Sequence, residues 1–194
     1  MRSDNAIRIF LLTILTYAWF LSLPALSSER VIRFKSVSTV ERLSPVSVQT
    51  YELNEIRLLR EEENRQINCL AKNIYFEARD QPLRGKIAVA LVTFNRTADP
   101  KYPKDICKVV YQRWRNTCQF SWVCQKHKIT EPEVWKNIWI LSKQLYINKP
   151  YDFTNGSLFY HADYVNPNWN FLKLERVAKI GNHIFYRCIN KNRC

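Results

Sequence analysis

The sequence offers Glu77 as a candidate for acid catalysis. Leu70, Ile74 and Ala78 recur every four residues, which is typical of the helix face that packs on a core. Glu77 lies beside this face and directly follows two aromatic residues. Poor solvation at such a place disfavours the charged form and raises the pKa of a carboxyl group, as a general acid requires. The ordinary alternative is a glutamate at the edge of the face, paired with a neighbouring basic residue, and surface carboxylates of that kind are far commoner.

Glycine is scarce, and this excludes several classes of enzyme. Only Gly85, Gly156 and Gly181 are present among 194 residues, so there is no glycine-rich phosphate loop and no dinucleotide-binding fingerprint. Kinases, P-loop enzymes and Rossmann dehydrogenases are excluded on that ground. No local signature of a Ser/His/Asp or Cys/His catalytic site is present either. The length and an apolar content of 46% suit one globular domain with appendages.

The N-terminus has the pattern of a targeting segment. Arg2 and Arg8 supply a basic start, residues 9–23 are almost continuously apolar, and residues 24–27 place small residues before a cleavage point. We therefore predict that residues 1–27 are a signal peptide and that the chain is exported to the periplasm or the extracellular space. The alternative is an uncleaved signal anchor, since residues 9–26 are close to the roughly 18 apolar residues that can span a bilayer. In that case the protein would contact the membrane through this segment alone.

Six cysteines in an exported chain predict disulfides. We expect at least two, one of them joining the loop around Cys118 and Cys124 to the body of the domain. Six cysteines allow 15 pairings, and the sequence does not choose among them. No pair has the close spacing of a zinc ligand set, and the three histidines stand on separate segments, so we predict no metal site and no cofactor.

A formal charge of +13 predicts an anionic partner. Nucleic acid is the usual partner of so basic a chain. Export argues against it, because the polyanions outside the cytoplasm are polymers of the cell envelope. The ordinary alternative is a basic surface that serves solubility.

Hydrophobic periodicity predicts an α+β domain with a helical front and a small antiparallel sheet near the C-terminus. We divide the chain into the targeting segment, a linker with a charged helix at 28–65, and the domain at 66–194. Within the linker, residues 31–50 are predicted to be extended. Thr130 to Glu133 forms a capping box with an early proline, a strong helix start. Strands are predicted at 158–161, 176–180 and 183–187, the last two joined by a two-residue turn at Gly181 and Asn182.

Seven segments in order resemble one family, the SleB-like cell-wall hydrolases of the spore-cortex-lytic type. The cysteine-bearing pattern is similar to members from Gram-negative bacteria and their phages. The resemblance implies a lysozyme-like or lytic-transglycosylase-like fold. It also implies cleavage of the bond between N-acetylmuramic acid and N-acetylglucosamine in the glycan strands of peptidoglycan, with Glu77 as the catalytic acid. The segments are residues 73–79, 85–90, 95–96, 102–111, 118–122, 158–162 and 179–186.

The chain also offers candidate substrate contacts, of which the motif supports Gln119 and Ser121, and ordinary packing is the alternative for each. A transglycosylase needs no second carboxylate, because the 6-hydroxyl of the sugar can attack while the same glutamate acts as base. One departure is that the family usually has a second acidic residue where this chain has Gln81. Two other functions stay open, a zinc-dependent N-acetylmuramoyl-L-alanine amidase and a carbohydrate-binding module without activity. The candidate substrate contacts are Gln119, Phe120, Ser121, Tyr160 and His183, with Trp122 as a further stacking face.

Overall fold

The computed structural model describes residues 45–169 and 173–190. All of them belong to one compact unit of the chain, residues 44–194. The predicted signal peptide and the first part of the linker lie outside the described residues. No helix within the described residues is long and apolar enough to cross a membrane. The elements are α1 Pro45–Ala78, α2 Leu83–Ala98, α3 Ile106–Val110, β1 Arg113–Trp114, β2 Thr117–Cys118, α4 Ser121–Gln125, α5 Pro132–Asn148, β3 Phe159–Ala162, β4 Leu174–Ile180 and β5 His183–Cys188.

Helix α1 is longer than the sequence predicts. Residues 45–50 were expected to be extended, but the helix already begins at Pro45 and continues without a break to Ala78. Proline is accepted in the first turn of a helix, where its missing N–H has no partner to lose, so Pro45 starts the helix and does not interrupt a linker. The side chains of residues 49–62 are exposed, and burial on the core begins at Gln66.

The main core lies between α1, α2 and α5. The apolar face that predicts α1 is buried as expected, with Leu70 and Ile74 fully inaccessible and Ala78 nearly so. A disulfide between Cys69 and Cys107 joins α1 to α3. Further members of this core are Tyr75, Ala90, Val110, Phe120, Trp122, Ile138 and Leu145.

The loop between α3 and α5 contains the β1–β2 hairpin and α4. Its disulfide differs from the prediction, because Cys118 bonds to Cys124 within the loop and not to the body of the domain. The one-turn helix α4 brings the two residues back together, with their Cα atoms 5.8 Å apart. The expectation of at least two disulfides is confirmed, and Cys188 is disulfide-bonded as well.

The capping box predicted for α5 does not form. The helix begins at Pro132 with Glu131 as its N-cap residue, and no side chain caps the first turn. The carboxylate of Glu131 is engaged elsewhere, since it pairs with Arg79 at 2.9 Å and accepts a hydrogen bond from the Tyr75 hydroxyl at 3.2 Å. This contact fixes the start of α5 against the end of α1.

The sheet has the order β3-β5-β4, and all its pairings are antiparallel. Strands β4 and β5 form the predicted hairpin around Gly181 and Asn182, and Gly181 has a φ of +59° that suits glycine. Pairing of Tyr160 with Phe185 aligns β3 with β5. The prediction of an α+β fold with a small C-terminal sheet is confirmed.

Candidate functional site

Glu77 meets Tyr160 at the junction of α1 and the sheet. The hydroxyl of Tyr160, on β3, donates a hydrogen bond to Glu77 Oε2 at 3.1 Å. Glu77 stands in the last turn of α1 and is partly buried, as is Tyr160. Two of the residues singled out from the sequence are therefore in direct contact across 83 positions of the chain.

The surroundings of Glu77 favour its protonated form. Burial raises the pKa of its carboxyl group, and this effect outweighs the hydrogen bond from Tyr160 and the positive charge of Arg96, which both act to lower it. Within the described part of the chain, no second carboxylate shifts the pKa of Glu77. Glu77 is thus a single, poorly solvated carboxyl group with one neutral donor and one cation beside it.

Arg96 joins three parts of the structure at this site. It lies on α2 with only 3% of its surface exposed, and its Nε donates to the carbonyl oxygen of Leu158 at 2.8 Å. The guanidinium also lies over the rings of Tyr102 and Phe120, at 5.6 and 5.4 Å from their centroids. A buried arginine cannot lose its proton, so Arg96 places a fixed positive charge near Glu77.

Gln119 belongs to the same network. With the side-chain amide of Gln119 turned so that its oxygen faces the guanidinium, this oxygen accepts from Arg96 Nη1 and Nη2 at 3.1 and 3.2 Å. The side chain is otherwise exposed, whereas its neighbour Phe120 is 5% exposed and packs against the guanidinium. Gln119 can reach a substrate directly, and Phe120 acts on the site through Arg96.

Asn95 holds the segment that leads into β3. Its Nδ2 donates to Asp152 Oδ2 at 3.1 Å, to Thr154 Oγ1 at 3.3 Å and to the carbonyl oxygen of Ser157 at 3.1 Å. Asn95 and Arg96 therefore clamp residues 152–158 onto α2. This clamp fixes the start of β3 and with it the position of Tyr160.

His183 supports Tyr160 from the sheet side. The two rings are 5.2 Å apart in an edge-to-face arrangement, and His183 is 7% exposed. Burial lowers the pKa of His183 although the nearby Asp163 opposes this, so the ring is more readily neutral than an exposed histidine. Its Nδ1 has no hydrogen-bond partner among the described residues. His183 packs on the ring of Tyr160, whose hydroxyl donates to Glu77, so its effect on Glu77 is indirect.

Ser121 and Trp122 are not brought into contact with Glu77. Ser121 is exposed at the first position of α4 and makes no hydrogen bond through its side chain within the described residues. Trp122 is 7% exposed and stacks on Phe76, with centroids 4.6 Å apart. Of the candidate residues, the structure thus groups Gln119, Phe120, Tyr160 and His183 with Glu77.

Gln81, where the family usually has an acid, has a structural role here. Its Oε1 accepts the backbone N–H of Asn182 at 2.8 Å and so ties the α1–α2 turn to the β4–β5 hairpin. A Cβ at Gly181 would collide with this oxygen, which is a second reason for glycine in the turn. An amide oxygen accepts this bond as a carboxylate would, so the loss of charge leaves the contact intact.

Arg96 and Tyr102 are functional candidates that sequence reasoning did not single out. Both lie in segments that carry the family resemblance, but only as parts of a motif without assigned roles. The signal was an arginine inside an otherwise apolar helix pattern, a position where a charge is rare unless it is paired. The carbonyl that pairs with it lies 62 residues away and leaves no trace in the local sequence.

The arrangement can donate a proton. A carboxyl group whose pKa is raised by burial, held by a tyrosine that stays neutral, suits the general acid that protonates the leaving oxygen of a glycosidic bond. Residues 45–169 and 173–190 contain no group of three or more His, Cys, Asp or Glu side chains placed to hold a metal ion.

Similarity to known proteins identifies the family. Residues 80–186, more than half of the chain, match the Cell Wall Hydrolase family, and the chain belongs to that family. The matched range begins three residues after Glu77. The resemblance to SleB-like enzymes predicted from the sequence is confirmed.

Relatives and solved structures agree with this assignment. The spore cortex-lytic enzyme of Bacillus subtilis (strain 168) is 28% identical over 123 residues, which are 63% of this chain and 37% of that protein. The spore cortex-lytic enzyme of Halalkalibacterium halodurans is 24% identical over 119 residues, 61% of this chain and 34% of that protein. The chain thus spans about a third of the length of these curated relatives.

The structure is also similar to the solved structure of a catalytic domain. The catalytic domain of the germination-specific lytic transglycosylase SleB from Bacillus anthracis has 27% sequence identity and a TM-score of 0.50. The match covers 63% of this chain and 93% of that domain. The matched part of the chain therefore has the fold of a SleB catalytic domain, as the sequence resemblance predicts.

Proposed function

We propose that this chain is a lytic transglycosylase that cleaves the bond between N-acetylmuramic acid and N-acetylglucosamine in peptidoglycan. The observation that carries the proposal is the buried carboxyl group of Glu77, hydrogen-bonded to Tyr160, with no second carboxylate of the described residues acting on it. The relatives named as spore cortex-lytic enzymes and the SleB domain named as a lytic transglycosylase support the choice of substrate and reaction.

Glu77 acts in both halves of the proposed reaction. As an acid it protonates the glycosidic oxygen while the bond to the muramic sugar breaks. As a carboxylate it then takes the proton of the 6-hydroxyl of the same sugar, which closes an anhydro ring. Arg96 and the Tyr160 hydroxyl stabilise the carboxylate formed between the two steps, since both lower the pKa of Glu77. Each cycle returns the proton to Glu77, and no water is consumed.

The groups that would hold the sugar lie around Glu77 and, for Ser121, at the start of α4, away from direct contact with Glu77. Gln119 and Ser121 are exposed and can contact sugar hydroxyls directly. Phe120, Tyr160 and His183 are more deeply placed and act by fixing Arg96 and the Glu77 contact. The basic surface of a chain with a net charge of +13 would assist binding to anionic polymers of the envelope.

Analysis of the products released from purified sacculi by mass spectrometry tests this function. We expect muropeptides that end in anhydro-muramic acid. Reducing muramic ends would mean hydrolysis by an attacking water, and free stem peptides would mean an amidase. Binding to sacculi without any soluble product would mean a non-catalytic module.

Export is a part of the proposal with its own test. We propose that residues 1–27 are removed as a signal peptide, because a basic start, an apolar run and small residues at the cleavage point follow one another. The intact mass of the exported protein should lack this segment. A mass that retains it would support an anchored form.

A further inference from the structure

A second cleft lies against α1, on a different face from Glu77. It has a volume of about 400 Å³, and Phe76, Trp122 and Tyr111 are among the residues that line it. Phe76 and Trp122 stack with an interplanar angle of 26°, and Tyr111 meets Trp122 edge to face at 5.9 Å. Apolar walls with a few polar groups are typical of ligand sites. We call this the lysine-lined cleft, for the residues described next.

The other walls of the cleft are basic. Lys72, Lys126, Lys128 and His127 line it, and none of its described lining residues is acidic. Within residues 45–169 and 173–190, none of the three lysines is paired with a carboxylate. Three unpaired cations around an aromatic floor favour a ligand that carries both anionic and apolar groups.

The wall that carries Trp122 is held in place. The Cys118–Cys124 disulfide closes the short segment that contains Trp122, and the indole Nε1 of Trp122 is buried without an acceptor among the described residues. The lining residue Lys126 adopts a left-handed backbone with a φ of 55° at the end of α4. Lys126 follows the closed segment by two residues, so the disulfide also restrains the backbone that presents this lysine.

The cleft and the catalytic candidate share two elements. Phe76 lines the cleft and is followed directly by Glu77, so the two side chains leave α1 about 100° apart. The loop that supplies Trp122 to the cleft supplies Gln119 to the Arg96 network. The cleft and the Glu77 site are therefore built from neighbouring residues of the same helix and the same loop.

We propose that the lysine-lined cleft binds the carboxylates of a peptidoglycan stem peptide, an inference that rests on the proposed action on peptidoglycan. The muramic sugar at the cleaved bond carries this peptide, which therefore leaves the glycan strand beside Glu77. Its carboxylates meet the lysines, and its methyl and methylene groups cover the aromatic floor. A phosphate polymer such as teichoic acid offers charge but little apolar surface, so it fits the cleft less well.

Binding of the free tripeptide L-Ala–D-Glu–diaminopimelate tests the proposal. The full chain labelled with ¹⁵N-tryptophan should show a saturable shift of the Trp122 indole signal, and added salt should weaken binding. The triple variant Lys72→Gln/Lys126→Gln/Lys128→Gln should bind about tenfold more weakly, since each exposed ion pair contributes modestly. The matched control Lys108→Gln/Lys136→Gln/Lys143→Gln removes the same charge from exposed positions outside the cleft and should bind as the parent does.

Three results would overturn the proposal. They are no saturable shift, equal weakening in the control variant, or binding of a poly(glycerol phosphate) probe in place of the tripeptide. Cleavage assays separate this question from the proposed function. If the parent releases glycan fragments but does not bind the tripeptide, the cleft assignment fails alone. If it binds the tripeptide but cleaves no glycan, the proposed function fails alone.

Discussion

The Glu77 site and the lysine-lined cleft use charge in opposite ways. Around Glu77, Arg96 is buried and its donors are bound to protein acceptors, so its charge acts on the pKa of one carboxyl group. In the cleft, Lys126 and Lys128 are exposed and pair with no carboxylate of residues 45–169 and 173–190, so their charge is available to a ligand. Buried charge is only weakly screened by salt, whereas exposed charge is screened within about 10 Å at 0.1 M salt. On the two proposals, charge serves proton transfer in one region and ligand binding in the other.

The largest expected effect is that of Glu77→Gln, which should sharply reduce cleavage at the Glu77 site without affecting binding in the lysine-lined cleft. Glu77→Gln keeps the shape of the side chain but removes the proton, and loss of a general acid typically costs about 10²–10⁴-fold in rate. Release of soluble fragments from sacculi should fall by that factor, while tripeptide binding in the cleft stays unchanged. Asp80→Asn is the control, because Asp80 is exposed in the following turn and should be dispensable. A folded Glu77→Gln protein that clears sacculi at the parent rate would remove Glu77 from the mechanism.

Arg96→Met should cost stability as well as activity. It leaves the buried carbonyl of Leu158 without its donor, and an unsatisfied buried group costs about 1–3 kcal/mol. It also removes the cation that lowers the pKa of Glu77, so that pKa should rise further. Urea denaturation measures the first effect, with Arg60→Met on the exposed part of α1 as the control. Equal stability of the two variants would mean that Arg96 does not hold the site together.

Tyr160→Phe should shift the pH dependence of cleavage. The hydroxyl donates to the carboxylate and lowers its pKa, so removing it raises the pKa of Glu77. An acid must be protonated to act, so kcat/KM falls as the pH rises through this pKa. The fall should therefore come at higher pH in Tyr160→Phe than in the parent. The exposed Tyr164→Phe is the matched control, and a shift of the same size there would count against the assigned contact.

The smallest effect concerns Gln81. Gln81→Glu keeps an oxygen for the Asn182 N–H and should leave stability almost unchanged. Gln81→Leu loses the acceptor and should cost about 0.5–1.5 kcal/mol, the usual net contribution of one hydrogen bond. Urea denaturation compares the two. Should Gln81→Glu instead raise the cleavage rate substantially, a carboxylate at this position would take part in catalysis.

The sequence predicted the elements whose signals are local. Leu70, Ile74 and Ala78, which recur every four residues, are buried as expected, and Gly181 with Asn182 forms the expected turn. The start of α1 was missed because residues 45–50 carry no apolar face to mark a helix. The capping box predicted for α5 was wrong because the helix begins one residue later than the box requires. Its N-cap residue, Glu131, is engaged by Arg79 and Tyr75, which precede it in the chain by more than 50 residues.

The candidate site was predictable only in part, because its geometry depends on contacts between residues that are distant in the chain. Glu77 and Tyr160 could be named from a helix pattern and a motif, but their contact requires the clamp that Asn95 and Arg96 make on residues 152–158. Such contacts join positions about 60 residues apart, and no periodicity encodes them. The Cys118–Cys124 pairing likewise depends on the turn that α4 makes between the two residues.

Titration of the Glu77 carboxyl group tests the central claim most directly. With ¹³C-labelled glutamate, the signal absent from the Glu77→Gln spectrum belongs to Glu77, and its chemical shift against pH gives the pKa. Burial predicts a midpoint above the ordinary value of 4.5, at the pH where kcat/KM of the parent begins to fall. A midpoint at or below 4.5 would contradict the account, because Glu77 would then be ionised where the enzyme needs an acid.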